Sequence, residues 1–383
     1  MQTSLSDDLI VAAIACFCLC ALVQSRYLPQ RAALWIAGVK AAIPFFFFAF
    51  LNDGQWILRD DLTYLRNANI LMDRGWQPVD VLLAPAGLKL MAALSSGWHI
   101  AYTWWNLVAI SLLGNHYFSA VFLNVAATSL AGWWLFDGLK HAGMKKEFAS
   151  GATCLFLLHW ELLSWSSIVN VKDVLVLSLS VLAFSGIARL ASKTSSYKEK
   201  WAGLLGLVAA CFLFLWLRFY APALILVAAG IWLVSDKQSP GKAIGFGVLL
   251  LAAGFIYWRS SSLPAPVGFG EWASGAVRFL LTPQPWSIEG KYQFLGPASV
   301  LHLGMIVPMI VGSISLAKSS SLFRFALIYL LLVTLFYGAV EELQGPRHRL
   351  QLVWIFAWAQ WEFIAMVIGL WRSKQGQGAV AHA

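Results

Sequence analysis

Long apolar blocks run along this chain, separated by short polar connections. Leu9–Val23, Ala32–Leu51, His116–Phe136, Ala149–Ile168 and Val174–Arg189 come first. Trp201–Leu217, Tyr220–Val234, Ala243–Trp258, Ser299–Leu316, Leu322–Val340 and Leu352–Trp371 follow. A helix needs roughly 20 apolar residues to cross a hydrocarbon core of ~30 Å, and the blocks approach or reach that length. The alternating polarity that a membrane-spanning barrel requires is missing. The pattern predicts an all-α fold, a polytopic transmembrane helix bundle of about eleven spans.

Two longer polar segments interrupt this rhythm, at residues 52–115 and 259–298. In the first, Leu62–Arg74 reads as a helix that stops at Gly75. Val81–Trp98 and Ile100–Leu113 are apolar but short, and Pro85, Gly87 and Lys89 break the first of them. They read as amphipathic helices lying along the membrane surface. Read instead as two short spans, they raise the total to about thirteen and leave the later orientation unchanged.

Composition supports the membrane reading. Charged residues make up 12% of the 383-residue chain and mean hydropathy is +0.71, against about 25% charged in soluble domains. The net charge of +9 sits mainly in connections such as Gln24–Arg31, Lys140–Lys146, Lys193–Lys200 and Lys237–Lys242. Basic residues favour cytoplasmic loops, so the chain is read with its N-terminus outside and its C-terminus inside. Scattered in this way, the charge forms no basic helix or dense run, and nucleic acid is not an expected partner. Asp7 and Asp8 precede the first block where a signal peptide would carry basic residues, so that block is read as a retained span. The chain reads as a single transmembrane domain over residues 1–383, with residues 372–383 a disordered cytoplasmic tail. Cys16, Cys18, Cys20, Cys154 and Cys211 all fall inside apolar blocks and read as packing residues.

Three outer stretches carry candidate chemistry. Arg59-Asp60-Asp61-Leu62-Thr63-Tyr64 follows the second block. Asp60 and Tyr64 stand four residues apart, on one helix face. One Asp can cap the helix, while the other is placed to act as a general base. The turn Trp165-Ser166-Ser167 … Lys172-Asp173 offers a cation and hydroxyls to an anionic head group, or is simply a capped hairpin. His159 and Glu161 precede it as polar residues within a span, facing the bundle interior or a cavity. Arg347-His348-Arg349 runs against the positive-inside trend, and with Arg218 and Arg278 could surround a lipid phosphate. Pairing with Glu341 and Glu342 is the alternative.

Asp60-Asp61-x-x-Tyr64, set between an early span and an outer segment of amphipathic helices, resembles the acidic motif of the GT-C glycosyltransferases. Asp61 stands where Glu is more usual, and an extra span precedes the motif. Trp165-Ser166-Ser167 … Lys172-Asp173, Pro283-Gln284-Pro285-Trp286 and Arg347-His348-Arg349 resemble elements of bacterial envelope-polysaccharide members of that group. The resemblance implies an integral protein of the bacterial inner membrane whose site faces outward. It implies a polyprenyl-phosphate-linked sugar as donor, a glycan, lipid or protein as acceptor, and inversion at the anomeric carbon. Asp60 would be the base and Asp61 would orient the acceptor or the sugar. Tyr64, Lys172, Arg218, Arg278, Arg347, His348 and Arg349 would hold the substrate and its phosphate. No cofactor is implied, and metal assistance is left open. Two other readings share the many spans: a polysaccharide polymerase or ligase using a lipid-diphosphate-linked oligosaccharide, and a flippase or transporter of lipid-linked sugars.

Overall fold

A computed structural model describes residues 7–54, 58–97, 99–235, 242–259, 268–288, 290–340 and 343–380. The described residues are helical, with no strand among them. In chain order the helices are α1 (Asp7–Gln24), α2 (Gln30–Phe46), α3 (Arg59–Asp73), α4 (Pro78–Leu83), α5 (Pro85–Leu94) and α6 (Ile100–Leu113). Then come α7 (Tyr117–His141), α8 (Lys146–Leu157), α9 (Trp160–Ile168), α10 (Asp173–Ala191), α11 (Tyr197–Leu215) and α12 (Ala221–Ser235). The chain finishes with α13 (Lys242–Arg259), α14 (Phe269–Leu281), α15 (Gly296–Gly304), α16 (Ile306–Ser319), α17 (Ser321–Gly338) and α18 (Val353–Val380).

Among the described residues six helices are long and apolar enough to cross a membrane: Asp7–Gln24, Gln30–Leu51, Tyr117–His141, Asp173–Ala191, Ser321–Gly338 and Pro346–Gly369. Tyr292–Gly304 with Ile306–Ser319, bent by 48°, makes a seventh if the pair is one span. These helices are compatible with an integral membrane protein. Other expected spans meet elements that are broken, charged or short. Ala149–Ile168 is divided between α8 and α9 at Leu158-His159, where His159 caps α9 by accepting from the Glu161 N–H at 3.3 Å. Lys198, Glu199 and Lys200 lie in the first turn of α11, and α12 has 15 residues. The final helix runs to Val380.

The segment between α2 and α7 folds into four short helices. Pro78 and Pro85 each sit at a first helical position, which needs no N–H partner, and so start α4 and α5 separately. Gly87 lets α5 fold closely against α4, because a Cβ there would lie 2.9 Å from the Val81 backbone. With 6, 10 and 14 residues, α4, α5 and α6 are each too short to cross the core. They leave Val79, Leu82, Leu83 and Leu88 exposed, as surface-lying helices do.

The core is built from α7, α8, α10, α17 and α18, where Phe184, Phe323, Trp354 and Trp358 pack with ring centroids between 4.6 and 5.6 Å apart. Small residues let helices approach, as membrane helix pairs require. A Cβ on Gly186 would lie 2.6 Å from the Gly203 carbonyl oxygen, which fixes the contact between α10 and α11. Lys40 is fully buried and donates to the Leu157 carbonyl at 3.4 Å, so it faces protein and does not snorkel. Both α7 and α10 start beside the candidate site and end at Asp137, His141 and Arg189, where Arg189 pairs with Asp137 at 2.7 Å. With 25 and 19 residues they span ~37 and ~28 Å. The site and this ion pair therefore lie at opposite ends of the bundle.

Candidate active site

Asp60 and Asp61 both lie in the first turn of α3, but their side chains go to different places. Asp61 is fully buried and turns back on its own helix start. Its Oδ2 accepts from the Leu58 N–H at 3.0 Å and from the Tyr117 hydroxyl at 3.1 Å. Burial pushes its carboxyl up to about 7, against the opposing pull of those two hydrogen bonds and of Arg347. Asp61 is thus the capping residue. Asp60 keeps a side chain that is 50% exposed, and its Oδ2 accepts from Arg347 Nη2 at 3.0 Å.

Asp60 stands at the mouth of a cleft of about 280 Å³, lined also by Thr63, Tyr64, Asn67, Ser95, Ser96 and His99. Asp60 and Tyr64 share this lining, as their spacing on α3 predicts. Tyr64 packs edge-on against Tyr102, with centroids 4.9 Å apart, and below Lys172, whose Nζ is 5.8 Å from its ring centre. Lys172 Nζ lies 2.8 Å from His99 Nε2 and 3.1 Å from Nδ1. A protonated His99 would repel that ammonium, and burial together with Lys172 and Arg218 holds the imidazole down to about 4. Burial, followed by Arg218, lowers Lys172 to about 7. Lys172 joins no ion pair among the described residues.

One buried residue holds the turn that carries Lys172. The Asn170 Nδ2 donates to Asn106 Oδ1 at 2.7 Å, and its Oδ1 accepts from the Tyr102 hydroxyl at 2.6 Å. Its backbone N–H donates to the Tyr117 hydroxyl at 3.0 Å, which in turn donates to Asp61. Asn124 Nδ2 donates to the Tyr102 hydroxyl at 2.9 Å and Trp105 Nε1 donates to Asn124 Oδ1 at 2.9 Å. The network ties α3, α6, α7 and the start of α10 to one another. Sequence reasoning missed Asn170, Tyr102, Asn106, Tyr117 and Asn124. Asn106 and Asn124 were legible as amides within apolar blocks, where a polar group needs a partner.

The other expected phosphate ligands are distributed differently. Arg218 is buried, pairs with Asp173, and donates to His348 Nδ1 at 2.5 Å and to the Tyr337 hydroxyl at 2.6 Å. Arg349 is also buried. It pairs with Glu161 at 2.5 Å and donates to the carbonyls of Phe279 at 3.2 Å and Leu280 at 2.5 Å. His302 contacts the same Glu161 at 2.9 Å. Arg218, His348 and Arg349 are therefore committed to internal pairs, because a guanidinium in this packed interior requires a carboxylate beside it. Glu341 and Glu342, the partners considered from sequence, lie outside the described residues. Arg278 is exposed on α14 and joins none of these pairs. Ser166 and Ser167 are buried with no hydrogen-bond partner in reach, and do not face a head group. Among the described residues no cluster of three or more His, Cys, Asp or Glu could hold a metal ion.

An apolar groove of about 590 Å³ lies close by, lined by residues including Ala42, Ile43, Phe46, Phe47, Ile168 and Phe294. Ile168 ends α9, directly before the Val169–Lys172 turn. Comparison of the chain with known protein families, with curated proteins and with solved structures finds no match.

Proposed function

We propose that this protein is a GT-C-like glycosyltransferase of the bacterial inner membrane. It moves a sugar from a polyprenyl phosphate to a glycan, lipid or protein acceptor on the outer face. The observation that carries this reading is that Asp60 lines a cleft whose walls two cations touch, Arg347 on Asp60 and Lys172 on His99. The connections bearing them are the ones that the basic-residue distribution assigns to the outer side. The apolar groove that Ile168 helps to line suits a prenyl chain, and about eleven passes, with the N-terminus outside, would put this end of the bundle at the outer leaflet.

Asp60 takes the proton from an acceptor hydroxyl, whose oxygen attacks the anomeric carbon. The bond from that carbon to the phosphate oxygen breaks, and the phosphate leaves with the electron pair. Attack opposite the leaving group inverts the anomeric centre. Lys172 lies where an ammonium can neutralise the departing phosphate, and Arg347 orients Asp60 and adds positive charge at the rim. Asp61 holds the turn on which Asp60 sits.

The test is product formation by the full-length chain in membranes that make the relevant glycan. Asp60→Ala is expected to insert normally and yield no product; full activity in that variant overturns the assignment. Transfer of an oligosaccharide from a lipid diphosphate would favour the ligase reading instead. Single cysteines at Asp73 and Lys145, both exposed, test the topology: the first is expected to label from outside and the second not.

A further inference from the structure

We infer that the cleft beside Asp60 is a subsite for one uncharged sugar ring, recognised by Asn67 and Ser96. This rests on the transferase reading. At about 280 Å³ the cleft falls just below the range of about 300–1,000 Å³ typical of drug-sized ligands. That space suits a single ring better than a preassembled oligosaccharide.

The lining chemistry points the same way. Away from the Asp60 and His99 end, the polar lining consists of Thr63, Asn67, Ser95 and Ser96, all uncharged. Hydroxyls and amides both donate and accept, which matches the dual character of sugar hydroxyls. Asn67 is held in a fixed orientation, because its Nδ2 donates to the Leu94 carbonyl at 2.9 Å, leaving Oδ1 as an acceptor. Ser95 is tied to Thr103 at 2.7 Å. Ser96 is exposed on the cleft and has a φ of 50°. It follows the end of α5, and the Gly97 N–H returns to the Ala92 carbonyl at 2.9 Å. Glycine is favoured at such a helix end. A serine is strained there, and Ser96 lines the cleft. An acidic sugar would bring a carboxylate against these neutral groups, while the nearby cations stand at the other end, Arg347 on Asp60 and Lys172 on His99, where the phosphate is placed.

Binding to the purified full-length chain in lipid nanodiscs tests this, with citronellyl phosphate as the probe lacking a sugar. Phosphodiester probes carrying glucose, galactose, mannose, glucuronate or maltose complete the set. At least one neutral hexose is expected to raise affinity tenfold or more over citronellyl phosphate, and glucuronate and maltose are expected not to. Ser96→Gly is expected to abolish that gain, with citronellyl phosphate affinity unchanged and the melting temperature unchanged or higher. An equal gain from glucuronate or maltose, no gain from any hexose, or a full gain in Ser96→Gly overturns the subsite. Failure of citronellyl phosphate to bind overturns the lipid-phosphate reading instead. Methyl glycosides of the three hexoses then test the cleft separately: a Ser96-dependent hexose signal supports it and none overturns it.

Discussion

Arg347 donates to Asp60 at 3.0 Å across a sequence separation of 287 residues. Both side chains are partly exposed, 27% and 50%. Exposed pairs of this kind are worth about 0–1 kcal/mol to stability. The contact therefore orients a carboxylate at a cleft more than it holds the bundle together.

That division separates the two adjacent aspartates. Asp60→Asn is expected to lower turnover by roughly 10²–10⁴-fold, the range for loss of a general base, with little change in thermal stability. Asp61→Ala is expected to cost about 1–3 kcal/mol of stability, because the Leu58 N–H and Tyr117 hydroxyl lose their acceptor. Turnover and detergent melting curves on both variants check the split. Asp61 also has a pH signature. Its carboxyl is raised to about 7 in the fold from about 4 in an unfolded chain. The folded state therefore holds a proton between those values that the unfolded state has lost. The resulting stability is complete below about pH 4 and is lost as pH rises to about 7. Asp61→Asn should remove this component from the stability profile.

Lys172 should make donor binding depend on pH in a higher range. Its amine is held down to about 7, so the ammonium is present below that value and lost above it. Binding of a phosphodiester donor analogue, whose own charge is constant, should weaken as pH rises from 6 to 8. Lys172→Arg should flatten the dependence, because guanidinium stays charged. An unchanged slope in that variant would separate Lys172 from the phosphate.

Asn170 is a positioning residue for Lys172. Asn170→Leu leaves the Tyr102 O–H without its acceptor and the Asn106 carbonyl oxygen without its donor, at about 1–3 kcal/mol for each group. The expected outcome is a lowered melting temperature together with weaker binding of citronellyl phosphate. Retained affinity in the folded fraction would show that other contacts hold the Lys172 turn.

Glu161 and Arg349 form a structural clamp between α9 and the segment leading into α18. Removing one partner from a buried pair costs about 3–5 kcal/mol, whereas an apolar replacement of both is much milder. Glu161→Gln or Arg349→Met alone should destabilise strongly, and Glu161→Leu with Arg349→Met should recover most of the loss. If the double variant folds well and keeps phosphate affinity, Arg349 has no part in binding.

Residue order by itself determined the all-helical character, the position of the long apolar helices and the helix that opens at Asp60-Asp61. These features depend on local composition and spacing, which a neighbouring stretch of sequence carries in full. The Asp60 and Tyr64 pairing was legible for the same reason, since i and i+4 share a face on any helix. Which aspartate caps and which faces the cleft was decided by the tertiary structure, through Tyr117 on α7 and Arg347 near the chain end. The fate of the arginines was decided there as well. Arg218, Arg347 and Arg349 are alike as residues in polar connections, but only Arg347 stays at the cleft. Arg218 and Arg349 meet Asp173 and Glu161 inside the bundle. A charge leaving water must find its opposite nearby, and that partner is set by helix packing across the whole chain.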